Sequence, residues 1–129
     1  MELGIKGAAE TVVVYENTAA AVGSGALEVF STPSMIALME KASRELVQPY
    51  LEEGQSTVGT RLEVSHVAAS PIGAHIRAES TLVEIDRRML TFEVKAYADG
   101  ELIGEGRHQR CIIYAERFME KALAKQKKA

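Results

Sequence analysis

Two periodicities divide the chain. From Met35 to Leu46 the apolar side chains recur at helical spacing, with Met35, Leu38, Met39, Ala42 and Leu46 on one stripe. Lys41, Arg44, Glu45 and Gln48 take the opposite side. Thr32 is a suitable N-cap and Pro33 a suitable first helical residue, because the missing proline N–H costs nothing there. Pro49 and Gly54 mark the far end, so the pattern predicts a long helix from Pro33 to about Tyr50. From Thr57 the pattern changes to strict alternation. It predicts strands at Thr57–Ala69, Ala74–Asp86, Met89–Ala98 and Leu102–Tyr114, punctuated by Ser70–Gly73, by Asp86–Arg88 and by the Asp99-Gly100 hairpin signal. Upstream, the β-branched run within Glu10–Tyr15 predicts a strand, and the small residues from Asn17 to Leu27 a loop or short helix. Ala115–Lys128 reads as a closing amphipathic helix whose basic tail, Lys125–Lys128, is solvated.

The order strand, long helix, four strands in hairpin succession is an α+β layout: an antiparallel sheet of about five strands on a central helix, with a C-terminal helix. One domain covers residues 1–129. Such a sheet has open edges, and pairing them across a two-fold axis is the usual remedy, so a homodimer is expected, with a tetramer as the alternative.

Composition narrows the function by exclusion. With 47% apolar and 26% charged residues the chain is that of a water-soluble globular protein. A net charge of −3 offers no broad positive field for nucleic acid. No apolar stretch reaches membrane-spanning length, and Met1–Gly7 lacks a signal-peptide core, so a cytoplasmic protein is expected. The single cysteine, Cys111, lies in an apolar run and reads as a buried reduced thiol. No His, Cys, Asp or Glu cluster has metal-ligand spacing, and no cofactor is expected.

The candidate chemistry comes from residues that break the pattern. Glu40 falls at the rim of the helix stripe, beside Ile36 and Val47, where a carboxylate is half out of water and requires a partner. His66 shares a strand face with Leu62, Val64 and Ala68, so it points toward the helix. A Glu40–His66 contact satisfies both groups and orients the imidazole as a general base. Thr32 adds a hydroxyl at the helix start, either as a cap alone or beside the free amides of the first turn. In Gly104-Glu105-Gly106-Arg107-His108-Gln109-Arg110, two glycines indicate a bulge or close approach, and His108 and Arg110 share a face. Arg110 is placed to take an anion or carbonyl; the alternative is an edge strand with solvated charges. The turn Gly23-Ser24-Gly25 suits a lid or site wall, whereas His75 is expected to be exposed and has no role.

Three segments resemble a known family in order and spacing. They are Val29-Phe30-Ser31-Thr32-Pro33 with Ala37-Leu38-Met39-Glu40, then Thr57-Val58-Gly59-Thr60 with Val64-Ser65-His66, then Gly104–Arg110. Together they are similar to the hotdog-fold thioesterases of the fluoroacetyl-CoA thioesterase-like group. The resemblance implies the hotdog fold and hydrolysis of acyl-CoA, with coenzyme A entering only as part of the substrate. It places Thr32, Glu40 and His66 at catalytic positions, Gly59 in the lining of the acyl pocket and Arg110 near it; Phe30 and Gly23 are expected to join them in binding substrate. His66 is then the base, acting on water or on Thr32, unless Glu40 itself is base or nucleophile. The fluoroacetate-specific member closes its pocket with an aromatic lid, whereas Gly23–Leu27 carries no aromatic side chain. General hydrolysis of a small or medium acyl-CoA is therefore implied ahead of fluoroacetate selectivity. No Asp–His pair at hydratase spacing is present. A dimer that binds acyl-CoA without cleaving it is the alternative.

Overall fold

The central helix α2 (Thr32–Val47) forms where the helical periodicity predicted it, and residues 1–126 are described by the computed structural model. Its buried face is Met35, Leu38, Met39, Ala42, Ser43 and Val47. Each large apolar side chain removed from water there stabilises the fold by about 1.5–3 kcal/mol. Leu46 is only half-buried, and Ser43 joins the face because its Oγ bonds Ser80 Oγ at 2.8 Å and donates to the Met39 carbonyl. The α-helix stops three residues short of Tyr50, and Gln48–Tyr50 is a 3-10 turn. Pro49 has no N–H with which to continue the helical ladder.

The helix start differs from expectation by one residue. Ser31, not Thr32, is the N-cap, its Oγ accepting from the Ser34 N–H at 3.1 Å. Pro33 consequently occupies the second helical position, and the Thr32 hydroxyl is released from capping.

Five antiparallel strands lie against this helix in the order β1-β3-β4-β5-β2. They are β1 (Lys6–Val12), β2 (Gln55–His66), β3 (His75–Asp86), β4 (Met89–Ala98) and β5 (Glu101–Tyr114). The expected hairpin succession holds for β3, β4 and β5 only. β2 pairs with β5 and forms an outer edge of the sheet. The link after β2 is tied elsewhere: Val67 N–H donates to Ile103 O, and the Phe30 N–H to Ser70 O. It therefore crosses over instead of turning back. β5 is an interior strand, so the solvated-edge reading of Gly104–Arg110 is overturned.

β1 begins four residues earlier than the β-branched run indicated. Gly7 lies directly beneath α2, where a Cβ would approach the Ala42 carbonyl to 3.1 Å. Gly7 thus marks close helix–sheet packing. The expected continuation to Tyr15 fails because Asn17 accepts from Val14 N–H and donates to Val12 O, folding the chain off the sheet. A short helix α1 (Ala19–Val22) follows, capped by Thr18 and closed by Gly23 in the left-handed region at φ 83°.

One apolar core, including Phe30, Met35, Met39, Phe92, Leu90 and Ile103, fills the space between helix and sheet. The C-terminal helix α3 (Ala115–Ala124) leaves Phe118, Met119 and Leu123 exposed. Lys125 is exposed, and the end of the expected helix and basic tail, Lys127 and Lys128, lies outside the described residues. Cys111 is half-buried and His75 exposed. No helix among the described residues is long and apolar enough to cross a membrane.

Candidate active site

Helix α2 and strand β2 between them position two polar clusters. The first is at the helix start. Thr32 Oγ1 and His66 Nδ1 are 2.7 Å apart. His66 is the last residue of β2 and faces Gly104 of β5, whose missing side chain leaves room for the Met35 thioether. Burial lowers the His66 pKa below its ordinary 6.5, with the Ala68 backbone opposing to a smaller extent, so the ring is neutral at pH 7. Its Nε2 is buried and has no hydrogen-bond partner among the described residues. A cleft of about 300 Å³ opens here, lined by Ala19, Ser24, Phe30, Thr32, His66 and Val67 among others.

The helix N-terminus offers fewer free amides than expected. Ser34 N–H is taken by Ser31 Oγ, Met35 N–H by Ser31 O, and Pro33 has none. Among the described residues the Thr32 N–H has no acceptor, so it is the donor left open in this turn.

The second cluster lies two helical turns further on. Glu40 is half-buried, and its Oε2 accepts from Arg110 Nη1 at 3.4 Å. Arg110 is 5% exposed and also donates from Nε to Thr57 Oγ1 and from Nη2 to the Thr57 carbonyl. Its Nη1 lies 3.1 Å from His108 Nε2, and His108 Nδ1 lies 2.9 Å from the Arg61 carbonyl. Gly59, beside Arg110 in the ladder, is what admits the carboxylate: a Cβ there would lie 2.7 Å from Glu40 Oε2. Burial lowers the Arg110 pKa while the Glu40 charge opposes this, and the guanidinium remains charged at neutral pH.

The expected Glu40–His66 contact within one chain is therefore not formed. His66 bonds Thr32 and Glu40 bonds Arg110. Eight residues of helix separate Thr32 from Glu40, about 12 Å along the axis. Gly59 and His66 stand correspondingly apart on β2. Arg110 is occupied by protein partners instead of facing an open cleft. Phe30 is buried and forms one wall of the cleft, whereas Gly23 ends α1 and its neighbour Ser24 lines the cavity. Sequence reasoning missed Ser31 as the cap and Thr57 as the anchor of Arg110. The inward phase of Thr57 relative to Gly59 in the alternating strand was the available signal for the second.

Comparison with known proteins agrees with the motif resemblance. The model of the family described as fluoroacetyl-CoA-specific thioesterase matches residues 13–116. A fluoroacetyl-CoA thioesterase from Streptantibioticus cattleyicolor is 38% identical over 98 residues, spanning 76% of this chain and 70% of the relative. Among solved structures, a mutant of the fluoroacetyl-CoA thioesterase FlK in complex with fluoroacetate superposes with a TM-score of 0.91 at 31% identity, covering 97% of this chain and 98% of the other. A hypothetical protein from Thermus thermophilus, a thioesterase superfamily member, gives a TM-score of 0.86 at 30% identity, covering 98% and 93%.

Proposed function

This chain belongs to the fluoroacetyl-CoA-specific thioesterase family and is a thioester hydrolase of the hotdog fold, and from that premise we propose that it cleaves a small acyl-CoA to free acid and CoA in a homodimer, with Thr32, His66 and Glu40 as its catalytic groups. The observation that carries this reading is the 2.7 Å contact between Thr32 Oγ1 and the neutral His66 ring at the wall of a cleft. The imidazole takes a proton from the Thr32 hydroxyl, or from a water held beside it, as attack on the thioester carbonyl begins. The tetrahedral intermediate places negative charge near the Thr32 N–H, the open donor of the helix start. Collapse of that intermediate expels the CoA thiolate, which takes the proton back from His66. Attack by water leaves the free acid directly, whereas attack by Thr32 leaves a Thr32 acyl ester that a water deprotonated by His66 then cleaves, releasing the acid and restoring the hydroxyl.

Glu40 enters this scheme from the second chain. β2 is an edge strand with unpaired peptide groups on its outer side, and Leu62 on it is exposed. Antiparallel pairing of β2 with its two-fold copy reverses the strand direction. The Gly59 end of one protomer, and with it Glu40, then lies beside the partner's His66. Small side chains at Ala19, Ser24, Ala68 and Ala69 and the modest cleft volume favour a short acyl group. Without an aromatic residue in Gly23–Leu27, the pocket distinguishes acetyl from fluoroacetyl weakly.

A mixed dimer tests the shared site. Chains carrying Glu40→Gln and His66→Ala are co-expressed with different tags and the heterodimer is isolated. Thiol release is then followed over a panel of short, branched and aromatic acyl-CoAs. A shared site leaves one of two sites intact, giving about half the wild-type kcat where both parents are inactive. Background activity in the heterodimer refutes the sharing. Wild-type rates in both parents remove Glu40 and His66 from the mechanism.

A further inference from the structure

We infer that His108 is a positioning residue: its neutral ring, acting through Arg110, fixes the Glu40 carboxylate over Gly59. The inference rests on the proposed catalytic role of Glu40. It begins from hydrogen-bond chemistry. His108 has no exposed surface and uses both ring nitrogens. The Arg61 carbonyl can only accept, so Nδ1 carries the hydrogen in the 2.9 Å contact. A guanidinium can only donate, so Nε2 is the acceptor for Arg110 Nη1 at 3.1 Å. The two partners thereby select one tautomer and exclude the imidazolium, which would set two N–H groups and two cations against each other. Arg110 and Glu40 are the charged groups facing this ring, and Arg44 on α2 acts on Arg110. Phe92 covers the ring face at 6.1 Å between centroids.

The consequence falls on Arg110. Its Nε and Nη2 are held by Thr57, and Nη1 is divided between His108 and Glu40. Removing the His108 acceptor frees an Nη1 hydrogen in a buried site, and the guanidinium rotates to satisfy it. The carboxylate, bonded to that same nitrogen and pressed against Gly59, moves with it. Arg110 is thus a support for Glu40, and the substrate meets the carboxylate.

Two substitutions separate the two ring nitrogens. In His108→Asn the amide nitrogen stands near Nδ1 and keeps the bond to Arg61, but no acceptor reaches Arg110. In His108→Gln the amide oxygen stands near Nε2 and keeps that acceptor. The expected result is a loss of at least about tenfold in kcat for His108→Asn with KM within about twofold. His108→Gln should recover most of kcat, and His108→Asn should cost nothing further in a Glu40→Gln background. An unchanged kcat in folded His108→Asn, or an equal loss in the Glu40→Gln background, overturns the inference. Should the variants fail to fold, ring ¹⁵N spectra of the wild-type dimer decide it: a neutral Nδ1–H ring supports the inference, and the other tautomer or an imidazolium at pH 7 overturns it. If Glu40→Gln alone keeps full activity, the parent reading fails and this inference falls with it. If Glu40→Gln is inactive and His108→Asn is not, only the inference fails.

Discussion

Replacing Gly59 by alanine is the sharpest local perturbation available. Gly59 does not occupy the left-handed region, so the backbone accepts a Cβ without torsional strain. The new methyl would meet Glu40 Oε2 at 2.7 Å, His108 Cε1 at 3.3 Å and Arg110 Nη1 at 3.5 Å. Ordinary contact begins near 3.4 Å, so the carboxylate has to retreat by about 0.7 Å while the ring moves hardly at all. A carboxylate on a flexible stem makes that shift cheaply. Against it stands the entropy lost from the unfolded chain, a gain of about 0.4–1 kcal/mol for a compatible Gly→Ala change. The net change in stability is expected within about 1 kcal/mol, a few degrees in Tm for a chain of this size. The reaction is less tolerant, because misplacing a catalytic group by about 1 Å can cost a hundredfold. Gly59→Ala should therefore lower kcat by about ten- to thirtyfold in a thiol-trapping assay with little change in thermal unfolding. Wild-type kcat at wild-type Tm would show that the position of this carboxylate does not matter. A fall of more than about 10 °C in Tm would show that the backbone, not the side chain, absorbs the methyl.

Capping and chemistry should separate cleanly at the helix start. Ser31→Ala removes the cap and is expected to cost about 1 kcal/mol in denaturant unfolding with kcat largely kept, whereas Thr32→Val should leave stability near wild type and lower kcat by about a hundredfold. The pH dependence follows from histidine pKa values lowered in the fold by burial. As pH falls through 6.5 the unfolded chain binds protons that folded His66 and His108 refuse, so stability is greatest above about pH 7 and declines below it. For fully buried His108 the decline reaches at most about 1.4 kcal/mol per pH unit, and Tm measured from pH 7.5 to 5.5 should fall less in His108→Gln than in wild type.

Much of this molecule was legible in its sequence because the periodicities are strong. The stripe from Met35 to Ala42 and the alternation from Thr57 onward each allow one kind of element, and the helix and the four later strands stand where they indicate. What was not legible depends on neighbours distant in sequence. Gly7-Ala8-Ala9 is a poor strand by propensity, yet it pairs with β3, and at Gly7 a side chain would run into α2. Ser31 and Thr32 are both good caps, and local pattern cannot rank them. Nothing local distinguishes a hairpin after β2 from a crossover. That choice decides which strand is outermost, and so whether Arg110 is solvated or buried. Glu40 and His66 were each identified as out of place, and both found partners. The error lay in pairing them within one chain, since a helical wheel gives the face of a residue but not its height along the axis.

That height carries a constraint of its own. Thr32 and Glu40 belong to one uninterrupted helix, so the distance between the hydroxyl and the carboxylate is counted in whole residues. A single insertion between them would lengthen the rod by about 1.5 Å and swing Glu40 through about 100°, off Gly59 and onto a different face. Composition within the interval is negotiable wherever the side chain is exposed, as at Ala37, but its length is not. The segment acts as a ruler, and a ruler tolerates repainting better than recutting.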